Sequence, residues 1–547
     1  IRKLHPEQER VVAAVIEGRD VLMVLPTGYG KSACYQVPSM VLPKPTLVVS
    51  PLLALLKDQY DRMIEFGVPC VRLDGSVRGK KRREALERIE QGGPLLVMTT
   101  PETLATRPVT ELLTKVGVSL MAIDEAHCIS EWGHDFRPAY QRLGGQARRL
   151  GSPPVLALTA TATPRVREAV VKSLGMTDPE VIAASPHRSN LAFEVVRCEG
   201  DMRPRALLRL VQRLRRPGII YCSTRRDVDE IYALLRRFGI PAHRYHGGMT
   251  SKERNEEQVR FMRPRTRTIM VATSAFGLGI DKPDIRYVLH YQAPAALEQY
   301  VQEAGRAGRD GRKSNCILLA DVEPDRKIHE ALLARSRLRP EQLYRLGAAL
   351  AAWSGEGRDP SLEALALSAE LGPRMAAGLL ATLEEAGLVE RVDKDVHIVG
   401  DKDTIEEDTR NLAGRFETLR TQDGRRLDFI GDYTGSDECR AIFLRRYFGE
   451  DDEGTCGLCD LCRGRTERPE SFFEPMTRPQ KKKGKKRRPR RRGGARTASS
   501  SEESSDANKK KAGARKSSRS RGRRGGRGRG RRGGSGGSGG SGGGGSG

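Results

Sequence analysis

Two tandem α/β lobes, each a parallel sheet with helices on both faces, are the fold class that this sequence predicts. The length of 547 residues suggests several domains. Up to about residue 320, short apolar runs alternate with amphipathic stretches, which is typical of buried parallel strands joined by crossover helices. Beyond that point come a helical segment, a cluster of cysteines and a tail of Lys, Arg, Gly and Ser. We therefore expect a doubly wound α/β body followed by smaller modules.

The apolar runs place the strands of each lobe. In the first lobe they lie at 21–25, 47–49, 95–98, 120–123 and 155–158. Amphipathic stretches such as 53–66 and 80–89 separate these runs and have the periodicity of surface helices. A second set of apolar runs follows at 218–222, 268–272 and 287–290. We therefore expect two stacked lobes with a boundary near residues 185–190.

The segment between the second lobe and the cysteines predicts a different unit. Residues 362–370 and 375–387 have the pattern of two helices joined by a turn, and residues 388–392 and 396–399 can form a β-ribbon. This order is typical of a winged-helix-like unit, and an ordinary helical packing domain is the alternative. The predicted domains are the first lobe at 1–188, the second lobe at 189–325, the helical or winged-helix-like segment at 326–430, a metal-binding module at 431–466 and a disordered tail at 467–547.

The positive charge is concentrated in the tail. The chain has a formal net charge of +26, and the segment from Arg478 onward holds 25 Lys and Arg residues against 3 Asp and Glu residues. Such a composition cannot bury a core, so we expect it to be disordered. A cationic tail is typical of a segment that binds a polyanion, and a solubilising tail without a specific partner is the alternative.

The lengths of the apolar runs and the distribution of the cysteines indicate the cellular compartment of the protein. No run of about 18 apolar residues occurs, so we expect no membrane partner. The ten cysteines are spread over a long chain with four of them close together, which favours a reducing compartment and one metal site over a disulfide framework. The expected location is the cytoplasm or nucleoid of a bacterium, or the nucleus of a eukaryote. The basic block at 481–492 resembles a nuclear-localisation signal and equally a DNA-binding arm.

A glycine-rich turn follows the first apolar run. A turn of this kind between a strand and a helix surrounds phosphate oxygens with backbone N–H groups. Lys31 would neutralise the β- and γ-phosphates, and the Ser32 hydroxyl would bind Mg²⁺. Leu25 stands where the general motif has glycine. The expected ATP-binding residues of this turn are Thr27, Gly28, Gly30, Lys31 and Ser32.

An acidic run, Asp124-Glu125-Ala126-His127, follows the strand predicted at 120–123. A carboxylate at the end of a parallel strand lies at the mouth of an α/β crevice. There Asp124 would hold Mg²⁺, and Glu125 would polarise the attacking water. A lone Asp-Glu pair is usually a solvated loop. Because this pair follows a phosphate loop in the same lobe, it predicts the second half of a nucleotide-hydrolysis site, with His127 beside it.

Two arginines in the run 302–310 predict a third part of this site. Arg306 and Arg309 lie three residues apart among glycines, so both can reach one phosphate group, and a guanidinium fork stabilises charge on a phosphoryl group in transfer. If the two lobes face each other, these arginines, together with Gln302, close over ATP bound to the first lobe and link hydrolysis to lobe closure. A basic surface loop is the alternative.

Four cysteines near the end of the body predict a metal site. Cys456, Cys459 and Cys462 have CxxCxxC spacing, and Cys439 precedes them with an expected amphipathic helix at 440–448 in between. Four thiolates suit a tetrahedral structural Zn²⁺, and an iron–sulfur cluster is the alternative. Four protein ligands leave no open position, so we expect the site to be structural.

Further motifs give the chain a specific resemblance. They lie at 48–59, 100–102, 158–163, 245–248 and 271–283, and the most specific one, Cys-Ile-Ser-Glu-Trp-Gly-His-Asp-Phe-Arg-Pro at 128–138, directly follows the acidic run. With these motifs the sequence resembles the RecQ family of superfamily 2 DNA helicases over roughly residues 1–320 and 437–462. The resemblance implies two RecA-like lobes, ATP with Mg²⁺, Zn²⁺ on the four cysteines, and 3′ to 5′ unwinding of DNA in repair or recombination.

The resemblance also assigns nucleic-acid contacts. The family uses the loop at 132–140 to sense single-stranded DNA, and here Trp132, Phe136 and Tyr140 offer ring faces for bases while His134 and Arg137 offer polar contacts. A stripe of aromatic residues more often belongs to a hydrophobic core. Here Gly, His, Asp, Arg and Pro lie between the aromatic residues, which favours an exposed loop. The threonines Thr159, Thr161 and Thr163 would transmit structural changes between the lobes. Thr159 and Thr161 would also contact the nucleic acid. Residues 50–51, 100–102, 223–225 and 273–274, including Thr273, would follow the DNA backbone.

Two parts of the chain depart from the family. Gln8 matches the adenine-reading glutamine, but Leu4 and His5 stand where relatives have Phe and Arg. Relatives also place a winged helix after the zinc module, whereas here the tail follows that module and the additional helical segment precedes it. The resemblance therefore supports ATP hydrolysis more firmly than strand separation.

Three functions remain open on the sequence. The first is a DNA helicase acting on single-stranded and tailed duplex DNA. The second is an ATP-driven translocase or RNA remodeller whose Arg-Gly tail holds RNA. The third is an inert nucleic-acid scaffold or annealing protein that acts through the tail, and the presence of Lys31, Glu125 and Arg309 argues against it.

Overall fold

The computed structural model describes residues 4–51, 53–130, 137–185, 187–277, 280–336, 339–392, 395–451 and 454–476. Within these residues, two separate parallel sheets form the body of the protein. Each sheet is covered by helices on both faces, so the predicted fold class of two tandem RecA-like lobes is confirmed. The tail beyond residue 476 lies outside the described residues.

The first lobe is built on a parallel sheet of seven described strands in the order β3-β4-β2-β5-β6-β1-β7. Its strands are β1 (Val21–Val24), β2 (Thr46–Val49), β3 (Cys70–Leu73), β4 (Leu96–Thr99), β5 (Leu120–Ile123), β6 (Val155–Thr159) and β7 (Glu180–Ala183). Its helices are α1 (Pro6–Ile16), α2 (Ala33–Gln36), α3 (Leu53–Glu65), α4 (Gly79–Glu90), α5 (Pro101–Leu104), α6 (Arg107–Val116), α7 (Pro138–Gln141), α8 (Leu143–Arg149) and α9 (Pro164–Leu174).

The second lobe has a parallel sheet of six described strands in the order β10-β11-β9-β12-β13-β8. Its strands are β8 (Leu191–Arg197), β9 (Gly218–Tyr221), β10 (Ala242–Tyr245), β11 (Ile269–Ala272), β12 (Tyr287–His290) and β13 (Ser314–Ala320). Its helices are α10 (Met202–Arg213), α11 (Arg225–Arg237), α12 (Ser251–Met262) and α13 (Leu297–Ala304).

Burial explains why the strands form where they do. β1, β2, β4 and β5 consist almost entirely of apolar residues, and every residue in them is buried, as expected for central strands covered on both faces. Two apolar clusters, one on each face of the sheet, form the core of the first lobe. Because all strands run parallel, the segments that follow β1, β2, β4, β5 and β6 meet at one edge. That edge carries the predicted nucleotide-site motifs of this lobe.

The segment after the second lobe contains helices and one two-stranded ribbon. It comprises α14 (Val322–Ser336), α15 (Pro340–Gly355), α16 (Leu362–Ser368), α17 (Pro373–Glu385), β14 (Val389–Val392), β15 (Asp395–Ile398) and the long helix α18 (Lys402–Gly435). α16, α17 and the antiparallel ribbon β14–β15 follow in the predicted winged-helix-like order, and they share one apolar core with α15 and α18. Arg142 of the first lobe donates a hydrogen bond of 2.7 Å to the Glu384 carbonyl, which connects this segment to the first lobe.

The metal-binding module follows α18. It contains α19 (Arg440–Tyr447) and packs into the core of the second lobe. Residues 467–476, which the sequence assigned to the disordered tail, are ordered against that lobe because Phe472 is buried in its core and Arg468 forms an ion pair with Glu194. None of the described helices is long and apolar enough to cross a membrane.

Candidate functional site

The phosphate loop connects β1 to α2. Gly28 and Gly30 have φ angles of +89° and +78°, a backbone region that side chains other than glycine rarely adopt. Lys31 is half-buried, and its Nζ donates a hydrogen bond of 3.1 Å to the carbonyl oxygen of Leu25. The residue that departs from the general motif therefore serves as the resting partner of the lysine. Burial lowers the pKa of Lys31, while the charges of Glu125 and Asp124 oppose this effect.

The acidic pair lies at the end of β5, opposite the phosphate loop. Burial raises the pKa of Asp124 to about 7, the charge of Glu125 adds to the effect, and the Lys31 ammonium opposes it. Glu125 has a φ of +52°, which is strained for a residue with a side chain and is common at functional sites. Both carboxylates line a cavity of about 510 Å³ together with Lys31 and Ser32. These four residues are those that the sequence proposed for phosphate, Mg²⁺ and water.

The second lobe closes this cavity with the predicted residues Gln302, Arg306 and Arg309. Arg309 lies against the phosphate loop, since a Cβ atom on Gly28 would stand 3.1 Å from its Cδ and Nε. Arg309 also forms an ion pair of 3.0 Å with Asp281, and Arg306 donates to the Gly277 carbonyl. The structure therefore brings together residues that are far apart in the chain.

The donors in this cavity fit a polyphosphate. The Nε atoms of Arg306 and Arg309 are buried, and neither has a hydrogen-bond acceptor among the described residues. A buried donor without an acceptor is costly, and a phosphate oxygen would satisfy it. Burial and the neighbouring Arg306 charge lower the pKa of Arg309, whereas its ion pair with Asp281 opposes this effect. Ser32 and Asp124 offer the oxygen ligands that Mg²⁺ prefers.

Gln8 lies beside the phosphate loop. Its Oε1 accepts a hydrogen bond from the His5 backbone N–H, and its Nε2 donates to the carbonyls of Tyr29 and Gly30, each at 2.8–2.9 Å. In this structure the Gln8 amide therefore holds the loop, and adenine contact stays a prediction. The rings of His5 and Tyr29 lie 4.6 Å apart at the mouth of the same cavity. Sequence reasoning missed this ring pair because it compared His5 only with the family's Arg.

A buried polar chain leads from the acidic pair to the end of β6. His127 Nδ1 lies 3.4 Å from a carboxylate oxygen of Glu125 and shares a hydrogen bond of 2.9 Å with the hydroxyl of Thr159. Thr159 in turn bonds to the backbone of Thr161. Thr159 and Thr161 are buried, so they cannot touch nucleic acid as the sequence prediction had it, and their position suits the relay between sites.

The predicted DNA-sensing loop is described only at its C-terminal end. Trp132, His134 and Phe136 lie outside the described residues. Arg137 donates a hydrogen bond of 2.9 Å to the Pro51 carbonyl, next to another predicted backbone-contact segment. Tyr140 is fully buried and its hydroxyl donates to the Asp124 carbonyl at 3.1 Å. Core packing and the Asp124 bond occupy this side chain in the present structure, and stacking of the Tyr140 ring on bases stays a prediction.

Thr273 follows β11 at the C-terminal edge of the second sheet. Its backbone N–H donates to the Tyr245 carbonyl, which joins two predicted backbone-contact segments. The Thr273 side chain is partly exposed, so it remains accessible to a ligand at this edge.

The four predicted cysteines form one cluster. The Sγ atoms of Cys439, Cys456, Cys459 and Cys462 all lie within 4.8 Å of one another. Two of the separations, Cys456–Cys462 and Cys439–Cys459, are 3.9 Å. A single ion with Zn–S bonds of about 2.3 Å holds its four sulfurs about 3.8 Å apart, whereas a cluster of several iron atoms would need a wider cage. The donor set therefore fits Zn²⁺.

An acidic residue inside the cysteine motif anchors this cluster on the second lobe. Asp460 is buried and accepts a hydrogen bond of 2.9 Å from the Val195 backbone N–H of β8. It also forms a buried ion pair of 3.2 Å with Arg440 at the start of α19. No role was predicted for Asp460 from the sequence. A charged residue between closely spaced metal ligands was the available signal for this anchor.

Comparison with known proteins agrees with this geometry. Family models match at 5–170 (DEAD/DEAH box helicase), 193–311 (helicase conserved C-terminal domain) and 401–463 (RecQ zinc-binding). The ATP-dependent DNA helicase RecQ of Bacillus subtilis is 41% identical over 343 residues, which are 62% of this chain and 57% of that protein. RecQ of Synechocystis sp. is 33% identical over 476 residues, 84% of this chain and 95% of that protein. The chain thus spans less than two thirds of the Bacillus relative and nearly all of the Synechocystis one.

Proposed function

Since the chain belongs to the RecQ family of ATP-dependent DNA helicases, we propose that it hydrolyses ATP to move 3′ to 5′ along single-stranded DNA and to separate duplex DNA in repair or recombination. The observation that carries this proposal is the contact of Arg309 with Gly28. It places an arginine of the second lobe directly on the phosphate loop of the first. Hydrolysis at such a composite site changes the contacts between lobes, which is what a motor needs.

Each residue of the cavity has a role that its chemistry supports. Lys31 leaves the Leu25 carbonyl to bind the β- and γ-phosphates, and Glu125 orients and polarises the attacking water. Ser32 and Asp124 would hold Mg²⁺, which supplies positive charge to the β- and γ-phosphate oxygens. Arg306 and Arg309 offer their unsatisfied Nε–H groups to the charge that develops on the transferred phosphoryl group.

Coupling to DNA passes through the buried polar chain of Glu125, His127 and Thr159. His127 Nδ1 contacts both the proposed catalytic carboxylate and the Thr159 hydroxyl at the end of β6. Arg137 and Tyr140 connect the same region to the segments at Pro51 and Asp124. A change at the DNA-sensing loop can therefore reach Glu125 through direct contacts, which supplies a physical route for DNA-stimulated hydrolysis.

DNA is the proposed partner, with single-stranded and tailed duplex DNA as substrates and RNA held by the Arg-Gly tail as a further one. The proposed compartment follows from this substrate: the nucleoid-containing cytoplasm of a bacterium, or a eukaryotic nucleus. At the C-terminal edge of the second sheet Thr273 is partly exposed, and hydroxyl and backbone groups at such an edge position a phosphate backbone without reading its sequence.

The test is ATP turnover and unwinding of 3′-tailed DNA by the full chain. Lys31→Ala should abolish both, and the matched control Lys80→Ala, which removes a lysine exposed on α4, should leave both unchanged. ATP turnover without strand separation would replace the helicase by a translocase. Equal turnover in Lys31→Ala and in the unmodified protein would contradict the phosphate-loop assignment.

A further inference from the structure

The second lobe carries a basic edge on the side opposite its proposed DNA-facing segments. Its six described strands all run parallel, so the residues that precede them meet at one edge of the sheet. Four neighbouring strands, β11, β9, β12 and β13, are each preceded by Arg or Lys. The cationic residues of this edge are Arg265 and Arg267 before β11, Arg215 and Arg216 before β9, Arg286 before β12, and Arg312 and Lys313 before β13.

Backbone hydrogen bonds hold these residues side by side. Gly218 of β9 donates to the Thr268 carbonyl, Arg286 donates to the Pro217 carbonyl, and Asn315 donates to the Arg286 carbonyl. A depression of about 330 Å³ opens among them, and its lining contains five cationic residues: Arg213, Arg215, Arg286, Arg312 and Lys313. The charges therefore form one surface rather than scattered points.

The local acidic residues do not neutralise this surface. Asp284 is paired with Lys282 at 2.9 Å, and the single carboxylate of Asp310 is shared by Arg286 at 2.8 Å and Arg312 at 3.9 Å. Among the described residues, no ion pair involves Arg215, Arg267 or Lys313. The Nη1 atom of Arg286 is buried and has no acceptor in the described part of the chain. The edge thus keeps a positive excess and one unsatisfied buried donor.

We propose that this basic edge, defined by the residues before β11, β9, β12 and β13, binds the phosphate backbone of a second nucleic-acid segment. This binding site is separate from the proposed helicase function, because the ATP cavity and the proposed DNA path lie at the opposite, C-terminal ends of the strands. The protein would then hold one strand in its motor cleft and another at this edge.

The chemistry of the lining favours a nucleic acid over a protein. Leu214 is the one apolar residue that lines the depression, whereas a protein interface needs an apolar centre. Neighbouring strands lie about 4.8 Å apart, so the four strand ends extend the charge over about 14 Å. That length suits a short run of phosphates on a nucleic-acid backbone, which carries one negative charge per nucleotide.

The test compares two triple variants of the full chain. Arg215→Ala, Arg312→Ala and Lys313→Ala together remove three charges from the depression. The matched control, Arg148→Ala, Arg149→Ala and Lys172→Ala, removes three exposed charges from the ends of α8 and α9 in the first lobe. Each protein is loaded on bead-bound single-stranded DNA, and capture of a second, fluorescent, non-complementary strand is measured without ATP over a range of salt concentrations.

We expect the depression variant to capture the second strand at least about tenfold less well than the control. The slope of log affinity against log salt should fall in magnitude by about 2, since each lost phosphate contact on a single strand contributes about 0.7. DNA-stimulated ATP turnover should match that of the unmodified protein, which separates this proposal from the helicase function. Equal capture by the two variants would overturn the proposal and assign second-strand binding to the tail. If polyglutamate, added at an equal concentration of negative charge, displaces the second strand, the basic edge does not prefer nucleic acid, and that part of the proposal is overturned.

Discussion

Replacing Gly28 by alanine tests whether the arginine of the second lobe acts on the phosphate loop. The φ angle of +89° makes any side chain at this position strained, at a cost of about 1–2 kcal/mol. The new Cβ would also stand 3.1 Å from Cδ and Nε and 3.2 Å from Cγ of Arg309. Ordinary carbon contacts begin nearer to 3.5 Å, so the arginine must move by a few tenths of an ångström or more.

That displacement should reduce hydrolysis more than stability. A misplacement of about 1 Å at a reacting group can cost about 100-fold, and an arginine on the transferred phosphoryl group contributes about 1,000-fold or more. We therefore expect Gly28→Ala to lower the kcat of DNA-stimulated ATP hydrolysis by about 10-fold to 100-fold. The backbone strain should lower the free energy of unfolding by only about 1–2 kcal/mol.

Gly18→Ala is the matched control. Gly18 has a similar φ of +81°, but a Cβ at that position would meet no atom within 4 Å. The control should thus show the loss of stability without the loss of kcat, as measured by thermal unfolding and by steady-state turnover at saturating ATP and DNA. If Gly28→Ala hydrolyses ATP as fast as Gly18→Ala, the contact between Arg309 and the loop has no role in catalysis.

Three further predictions concern the other parts of the site. Tyr140→Phe should leave the affinity for single-stranded DNA unchanged in a fluorescence titration and reduce DNA-stimulated turnover, because it removes only the bond to the Asp124 carbonyl; turnover equal to that of the unmodified protein would contradict a role for this bond. Asp460→Asn should lower the free energy of unfolding by about 3–5 kcal/mol, since Arg440 would keep a buried charge without its partner. Chemical denaturation measures this loss, and an unchanged midpoint would contradict the role of Asp460 in anchoring the cysteine cluster. Removal of Zn²⁺ with a chelator should lower the Tm and release about one equivalent of metal to a colorimetric indicator, whereas iron release would contradict the zinc assignment.

Most central strands were predictable because burial on both faces leaves a simple pattern, although the buried central strand β13 was not predicted. The runs at 120–123 and 287–290 match β5 and β12 residue for residue. The sequence prediction did not include β3 or β10, since these outer strands mix polar with apolar residues, as in Cys70–Leu73 and Ala242–Tyr245. An outer strand is covered less completely, so its composition carries a weaker signal.

The residue types predicted the chemistry of the site, but they did not predict whether each side chain is buried or exposed. Lys31, Asp124 and Arg309 were identified by their positions in motifs, and all three line one cavity. The sequence did not show that Tyr140 is buried, because an aromatic residue in a polar stretch looks exposed. Its burial depends on its packing in the core of the first lobe, which is a tertiary feature. The same limit applied to Phe472, whose polar neighbours concealed its place in the second core.

The zinc module contacts the first lobe next to the threonine segment at which the buried polar chain from Glu125 ends. The cysteine cluster fixes α19, and the Phe448 carbonyl at the end of α19 accepts a hydrogen bond of 3.1 Å from Arg167 of α9. Next to it Gly449 packs directly on Pro164, the first residue of α9, and its φ of +81° together with this close approach allows only glycine. α9 begins directly after the threonine segment that bonds to His127. A structural metal ion far from the ATP cavity therefore holds one end of a continuous series of contacts whose other end is Glu125. For this reason the loss of Zn²⁺ should weaken the coupling of hydrolysis to DNA as well as the stability of the fold.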